Sequence, residues 1–169
     1  MPRLFALDQN FPQPIIEALN QFIPEADLIP LRDIDPLLVA EIDDWQVLLG
    51  LHHHERPWEG LITTDSGILN LPREISVIRQ TNLTLVVAEA AGHDPIKATG
   101  LLFTHLSWIC RETTRSRAQV WQLSARNRPA KDPWELLERI ADHQNRDAND
   151  LWAEARLSRA ELDEDPLSL

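Results

Sequence analysis

The stretch Leu4-Phe5-Ala6-Leu7-Asp8-Gln9-Asn10-Phe11-Pro12 sets the frame for the rest of the chain. Four near-continuous apolar residues suit a strand in a sheet covered on both faces. Pro12 cannot extend a central strand, so the chain leaves the sheet there. Asp8 is thereby placed at the carboxyl edge of the strand, where ligands of open α/β sheets collect. Gly60-Leu61-Ile62-Thr63-Thr64-Asp65-Ser66-Gly67 repeats the design, a short apolar strand ending in an acid with turn residues behind it. If the two strands are neighbours, their terminal acids lie close together.

With 169 residues the chain has room for one domain with a proper core and a small appendage. No apolar run approaches the roughly 20 residues that span a bilayer, and Asp8 interrupts the basic-then-apolar pattern of a secretion signal. The single cysteine, Cys110, excludes an internal disulfide framework and fits a reducing cytoplasm. It falls in an apolar helical pattern, which makes it buried filler. The net charge of -11 argues against broad attraction to nucleic acid. The charge is segregated, however. Residues 111 to 131 hold Arg111, Arg115, Arg117, Arg126, Arg128 and Lys131 against Glu112 alone, whereas residues 142 to 169 carry eight acids and three arginines.

Hydrophobic periodicity orders the remaining elements. Gln13 to Phe22 reads as a helix with Pro14 in its first turn and Ile15, Ile16, Leu19 and Phe22 on one face. Ala26 to Leu31 reads as a strand, Asp33 to Pro36 as a loop, and Asp43 to Leu51 as a helix opened by acids at the positive end of its dipole. The order strand, helix, strand, helix, strand predicts a parallel sheet with right-handed crossovers. A helix from Leu71 to about Arg79, a strand from Asn82 to Glu89, a long helix from Asp94 and a strand from Ala118 to Leu123 follow. Asp132-Pro133 then opens a helix to about Asp142, a further helix covers Asn149 to Ala160, and Leu162 to Leu169 reads as a frayed acidic end.

Three motifs in this order resemble the PIN-like nuclease superfamily, within it the small group whose chains begin with a strand and an Asp-x-Asn-x-Pro turn. That turn is Asp8-Gln9-Asn10-Phe11-Pro12 here. An acid at a helix start is matched by Asp44, and a strand closing in Thr-x-Asp by Thr63-Thr64-Asp65, with Leu69 a few places on. The resemblance covers residues 3 to about 90. It implies a three-layer α/β/α sandwich with a mainly parallel sheet of four or five strands. The PIN-like domain would span residues 1–124, with a C-terminal helical extension over residues 125–169. It implies metal-dependent RNA cleavage and, for many relatives, a toxin paired with an antitoxin; a cytoplasmic location, from the lone cysteine, and a homodimer are further expectations. The family's fourth acid has no clear match, with Glu89 and Asp94 the candidates.

The chemistry follows from the acids. Carboxylates gathered at one sheet edge cannot all stay ionised without a counter-charge. Mg²⁺ or Mn²⁺ supplies it through oxygen ligands and serves phosphodiester hydrolysis. Asp8 and Asp65 are then direct ligands and Asp44 a ligand or water-positioner, a place Asp43 could also fill. Asn10 orients the site, Thr63 or Thr64 holds an acid or meets a phosphate, and Arg111, Arg115 and Arg117 form an RNA-facing surface. The blander readings are turn-forming aspartates for Asp8 and Asp65, a helix cap for Asp44 and a solvated helix end for the arginines. His52-His53-His54 cannot serve one metal, because consecutive helical residues point in different directions. The tryptophans read as packing residues. A competing reading keeps the fold as a binding module for RNA or protein without the chemistry. A phosphatase-type enzyme would need an acid where Asn10 stands, and the sequence holds no Gly-rich phosphate loop or Ser-His-Asp pattern.

Overall fold

A computed structural model of the protein describes residues 1–8, 11–89, 91 and 93–168. The five apolar runs form strands β1 (Arg3–Leu7), β2 (Ala26–Pro30), β3 (Gly60–Thr63), β4 (Thr84–Ala88) and β5 (Gln119–Leu123). All pair in parallel, in the order β2-β1-β3-β4-β5. Because successive strand side chains point to opposite faces, each strand feeds two apolar clusters. Leu4, Ala6, Leu61, Leu85, Val87 and Val120 enter one. Phe5, Leu7, Ile62, Val86, Trp121 and Leu123 enter the other. This two-sided burial is why the strands read as continuous apolar runs.

Helices α1 (Gln13–Phe22) and α5 (Pro95–Glu112) cover the second face through Ile16, Leu19, Leu102, Leu106 and Ile109. On the first face lie α3 (Asp44–His53), α4 (Pro72–Thr81), α6 (Pro133–His143) and α7 (Ala148–Ala155). The result is a three-layer α/β/α sandwich. The connections through α1, α3 and α4 share one hand, since the chain steps one way across the sheet over one face and the other way over the opposite face. The step from β4 to β5 continues in the direction of β3 to β4 but uses the opposite face, so the α5 crossover has the opposite hand. That arrangement is rare among parallel connections.

The expected loop at Asp33 to Pro36 is structured instead. α2 (Leu31–Ile34) is followed by a 3-10 turn, Pro36–Val39, in which the Asp35 carboxylate accepts the Leu37 N–H at 2.9 Å. The tail also departs from expectation. A further short helix, α8 (Arg159–Asp163), is closed by a Ser158–Glu161 capping box. Leu162 within it and Leu167 beyond it pack on the first-face core, and the Leu162 carbonyl meets His53 Nε2 at 2.8 Å. The segment after residue 124 is helical, and it shares the main core through Leu136, Leu137, Ile140, Leu151 and Leu157. Among the described residues no helix is long and apolar enough to cross a membrane.

Candidate functional site

β1 pairs with β2 on one side and β3 on the other, so the chain's path reverses between β1 and β3. A crevice opens at the carboxyl end of such a reversal. Asp8 follows β1, and its backbone N–H donates to the Ile62 carbonyl at 2.9 Å, carrying the ladder one residue beyond the strand. Thr63, the last residue of β3, donates its hydroxyl to Asp8 Oδ2 at 2.8 Å. The Thr63 hydroxyl oxygen in turn accepts the Asp65 backbone N–H at 3.0 Å. Asp65 then caps the 3-10 turn Ser66–Asn70, with Oδ1 accepting the Gly67 N–H at 2.9 Å. One threonine hydroxyl thus ties the two strand-end acids together.

The third acid arrives on α3. Asp43 is the N-cap, with its N–H bonded to Gln46 Oε1 at 2.9 Å and its carboxylate taking the Trp45 indole N–H at 3.3 Å. Asp44, the next residue, turns towards the sheet edge. Asp8, Asp44, Asp65 and Thr63 line one cavity of about 60 Å³, walled by apolar side chains that include Leu38, Val47 and Ile68. A space of this size holds a small ion together with a few waters. Burial, then the Asp8, Asp65 and Asp43 carboxylates, push the Asp44 carboxyl above its ordinary value. The acids of three separate elements therefore repel one another across this space.

Oxygen donors of this kind fit a hard divalent cation. Yet among the described residues no group of three or more His, Cys, Asp or Glu side chains stands as a formed metal site. The three acids share the cavity without being drawn into a ligand shell.

The remaining site candidates fall elsewhere. Asn10 lies outside the described residues. Thr64 is buried beside the site but does not line the cavity. Glu89 continues the β4–β5 ladder, its N–H donating to the Leu123 carbonyl at 3.0 Å. Asp94 caps α5 by accepting the Lys97 N–H at 3.1 Å. Neither candidate for the fourth acid lines the cavity.

Arg111, Arg115 and Arg117 stand at the opposite edge of the sheet, because α5 runs back from the carboxyl edge to the amino edge. Arg115 donates there to the Trp58 carbonyl, just before β3. Arg117 lines an open hollow of about 610 Å³ with Trp134 and Trp152. Arg79 lies against both of these rings, 5.0 and 4.4 Å from their centroids. Trp121 and Trp58 are fully buried. The histidine run divides as its geometry requires, with His53 bonded to the tail and His54 packed on the Trp58 ring.

Two residues near the site gave no signal in the sequence beyond an acid in a first helical turn and an arginine in a helix. Glu74 of α4 is buried. Burial and the Asp44 and Asp43 charges raise its carboxyl, while its own N–H and that of Trp45 oppose the rise. Arg139 of α6 donates to the Leu69 carbonyl at 3.1 Å in the turn that Asp65 caps. No protein-family model, curated protein or solved structure matches the chain.

Proposed function

We propose that the protein is a Mg²⁺- or Mn²⁺-dependent ribonuclease of the PIN-like kind. The observation that carries this reading is the meeting of Asp8, Asp44 and Asp65 in one small cavity at the carboxyl edge, between β1 and β3. These three acids would hold the cation, which supplies charge neutralisation and Lewis acidity towards a phosphodiester. Thr63 fixes the Asp8 and Asp65 positions relative to each other. Asp44, whose proton is held more tightly than an ordinary carboxylate's, is placed to orient a water or accept its proton.

A specific observation favours the competing reading of a binding module without catalysis. Neither Glu89 nor Asp94 supplies a fourth acid to the cavity. Incubation of labelled single-stranded RNA with the protein separates the two. The ribonuclease reading expects cleavage in Mn²⁺ that chelator or Asp8→Asn removes. RNA retained intact, with binding unaffected by chelator, supports the module.

A further inference from the structure

We infer that Arg139, on the helical segment beyond the family-like core, is a positioning residue for the Asp65 carboxylate; this rests on the ribonuclease reading. Asp65 is exposed, and the one hydrogen bond described for its carboxylate is internal to its turn, to the Gly67 N–H at 2.9 Å. The carboxylate therefore goes where the turn goes. That turn is a 3-10 helix of five residues, whose hydrogen bonds are poorer than those of an α-helix. It also ends with carbonyls that lack helical partners.

Two kinds of contact hold it. Ile68 and Leu69 are buried in the first-face core, and Ile68 also walls the cavity. Arg139 reaches across from α6 to the Leu69 carbonyl at 3.1 Å and to Asn70 Oδ1 at 3.5 Å. A cationic donor makes the stronger kind of hydrogen bond. The base it works from is firm, since Leu136, Leu137 and Ile140 of α6 are buried and Asp132 caps the helix on the Trp134 N–H at 2.8 Å. The extension thus supports the site from outside, by holding the far end of the turn that Asp65 caps.

The test is calorimetric titration of Mn²⁺ into the full chain, at a temperature where every variant is folded. Arg139→Met and Arg139→Gln both remove the cationic donor, and one folded variant suffices. Residues bonded directly to a metal ligand cost about tenfold or more in affinity when lost; Arg139 acts only through the turn, so a loss of several-fold, up to about tenfold, is the expected result. Arg139→Lys should recover part of it, because an ammonium can still donate to a carbonyl. Leu137→Ala destabilises the same helix while keeping the Arg139 donor in place, and should leave the Mn²⁺ affinity unchanged. Unaltered affinity in Arg139→Met or Arg139→Gln overturns the inference, as does an equal loss in Leu137→Ala. If the unsubstituted protein takes up no Mn²⁺, the inference falls together with the ribonuclease reading.

Discussion

Thr63 donates its hydroxyl to Asp8 across the β1–β3 pair at 2.8 Å while accepting the Asp65 backbone N–H at 3.0 Å. The hydroxyl is buried with its strand, and its removal takes one hydrogen bond from each partner. Thr63→Val keeps the shape and deletes both bonds. It should cost about 1–3 kcal/mol in urea unfolding, whereas Thr63→Ser should stay near the original stability. A Thr63→Val protein as stable as the parent would show that these bonds contribute nothing net.

Asp44 makes a prediction about pH. Its folded-state carboxyl lies above the ordinary 3.8, through burial and then the Asp8, Asp65 and Asp43 charges. The folded protein thus holds this proton more tightly than the unfolded chain. The associated stability is present below the ordinary carboxylate value and is lost as pH rises through the raised one. Partial exposure screens the effect. In metal-free buffer Asp44→Asn should therefore unfold at a higher temperature than the parent at neutral pH, with the advantage shrinking on acidification. An advantage that grows on acidification would contradict the arrangement of acids described above.

Gly60 opens β3 where it passes closest to β4. A Cβ built there would lie 1.6 Å from the Thr84 carbonyl oxygen, and both residues pair directly in the ladder. Gly60→Ala must push the two central strands apart. Overpacking of this kind costs about 1–3 kcal/mol or more, so the variant should show a lower melting temperature or fail to accumulate as folded protein. Gly100, where a Cβ meets nothing within 4 Å, supplies the control, since Gly100→Ala in an exposed helix should stabilise by about 0.5–1 kcal/mol.

Cys110 is buried on α5, and burial, with the nearby Glu25 charge next, pushes its thiol up to about 12. At pH 8 about one thiol in ten thousand would be ionised, and the thiolate is the reactive form. Native protein should resist alkylation over hours, and urea should expose one thiol per chain at once. Rapid labelling of the native protein would place Cys110 at the surface.

Most of the scaffold was legible because it depends on local pattern. Leu4 to Leu7 and Leu85 to Ala88 are apolar on both faces, so they announce central parallel strands, and Asp8 and Asp65 inherit their place from where β1 and β3 stop. Asp44 was harder to separate from Asp43, because a cap and a cavity acid look alike until the Gln46 and Trp45 contacts assign the cap to Asp43. What escaped depends on contacts distant in sequence. Arg139 meets a carbonyl 70 positions away, and the tail returns to His53 across 109. No periodicity records such pairings. Arg111, Arg115 and Arg117 follow a strand-edge acid in sequence, yet the 18-residue α5 carries them to the other edge of the sheet.

The central claim is that Asp8, Asp44 and Asp65 bind one class of divalent cation together. It is tested most directly by titrating Mn²⁺ while following thermal unfolding, since a ligand of the folded state raises its melting temperature as concentration rises. The account predicts a concentration-dependent rise in the parent protein that Asp8→Asn and Asp65→Asn each abolish. A parent protein indifferent to Mn²⁺, or one whose rise survives both substitutions, would contradict it.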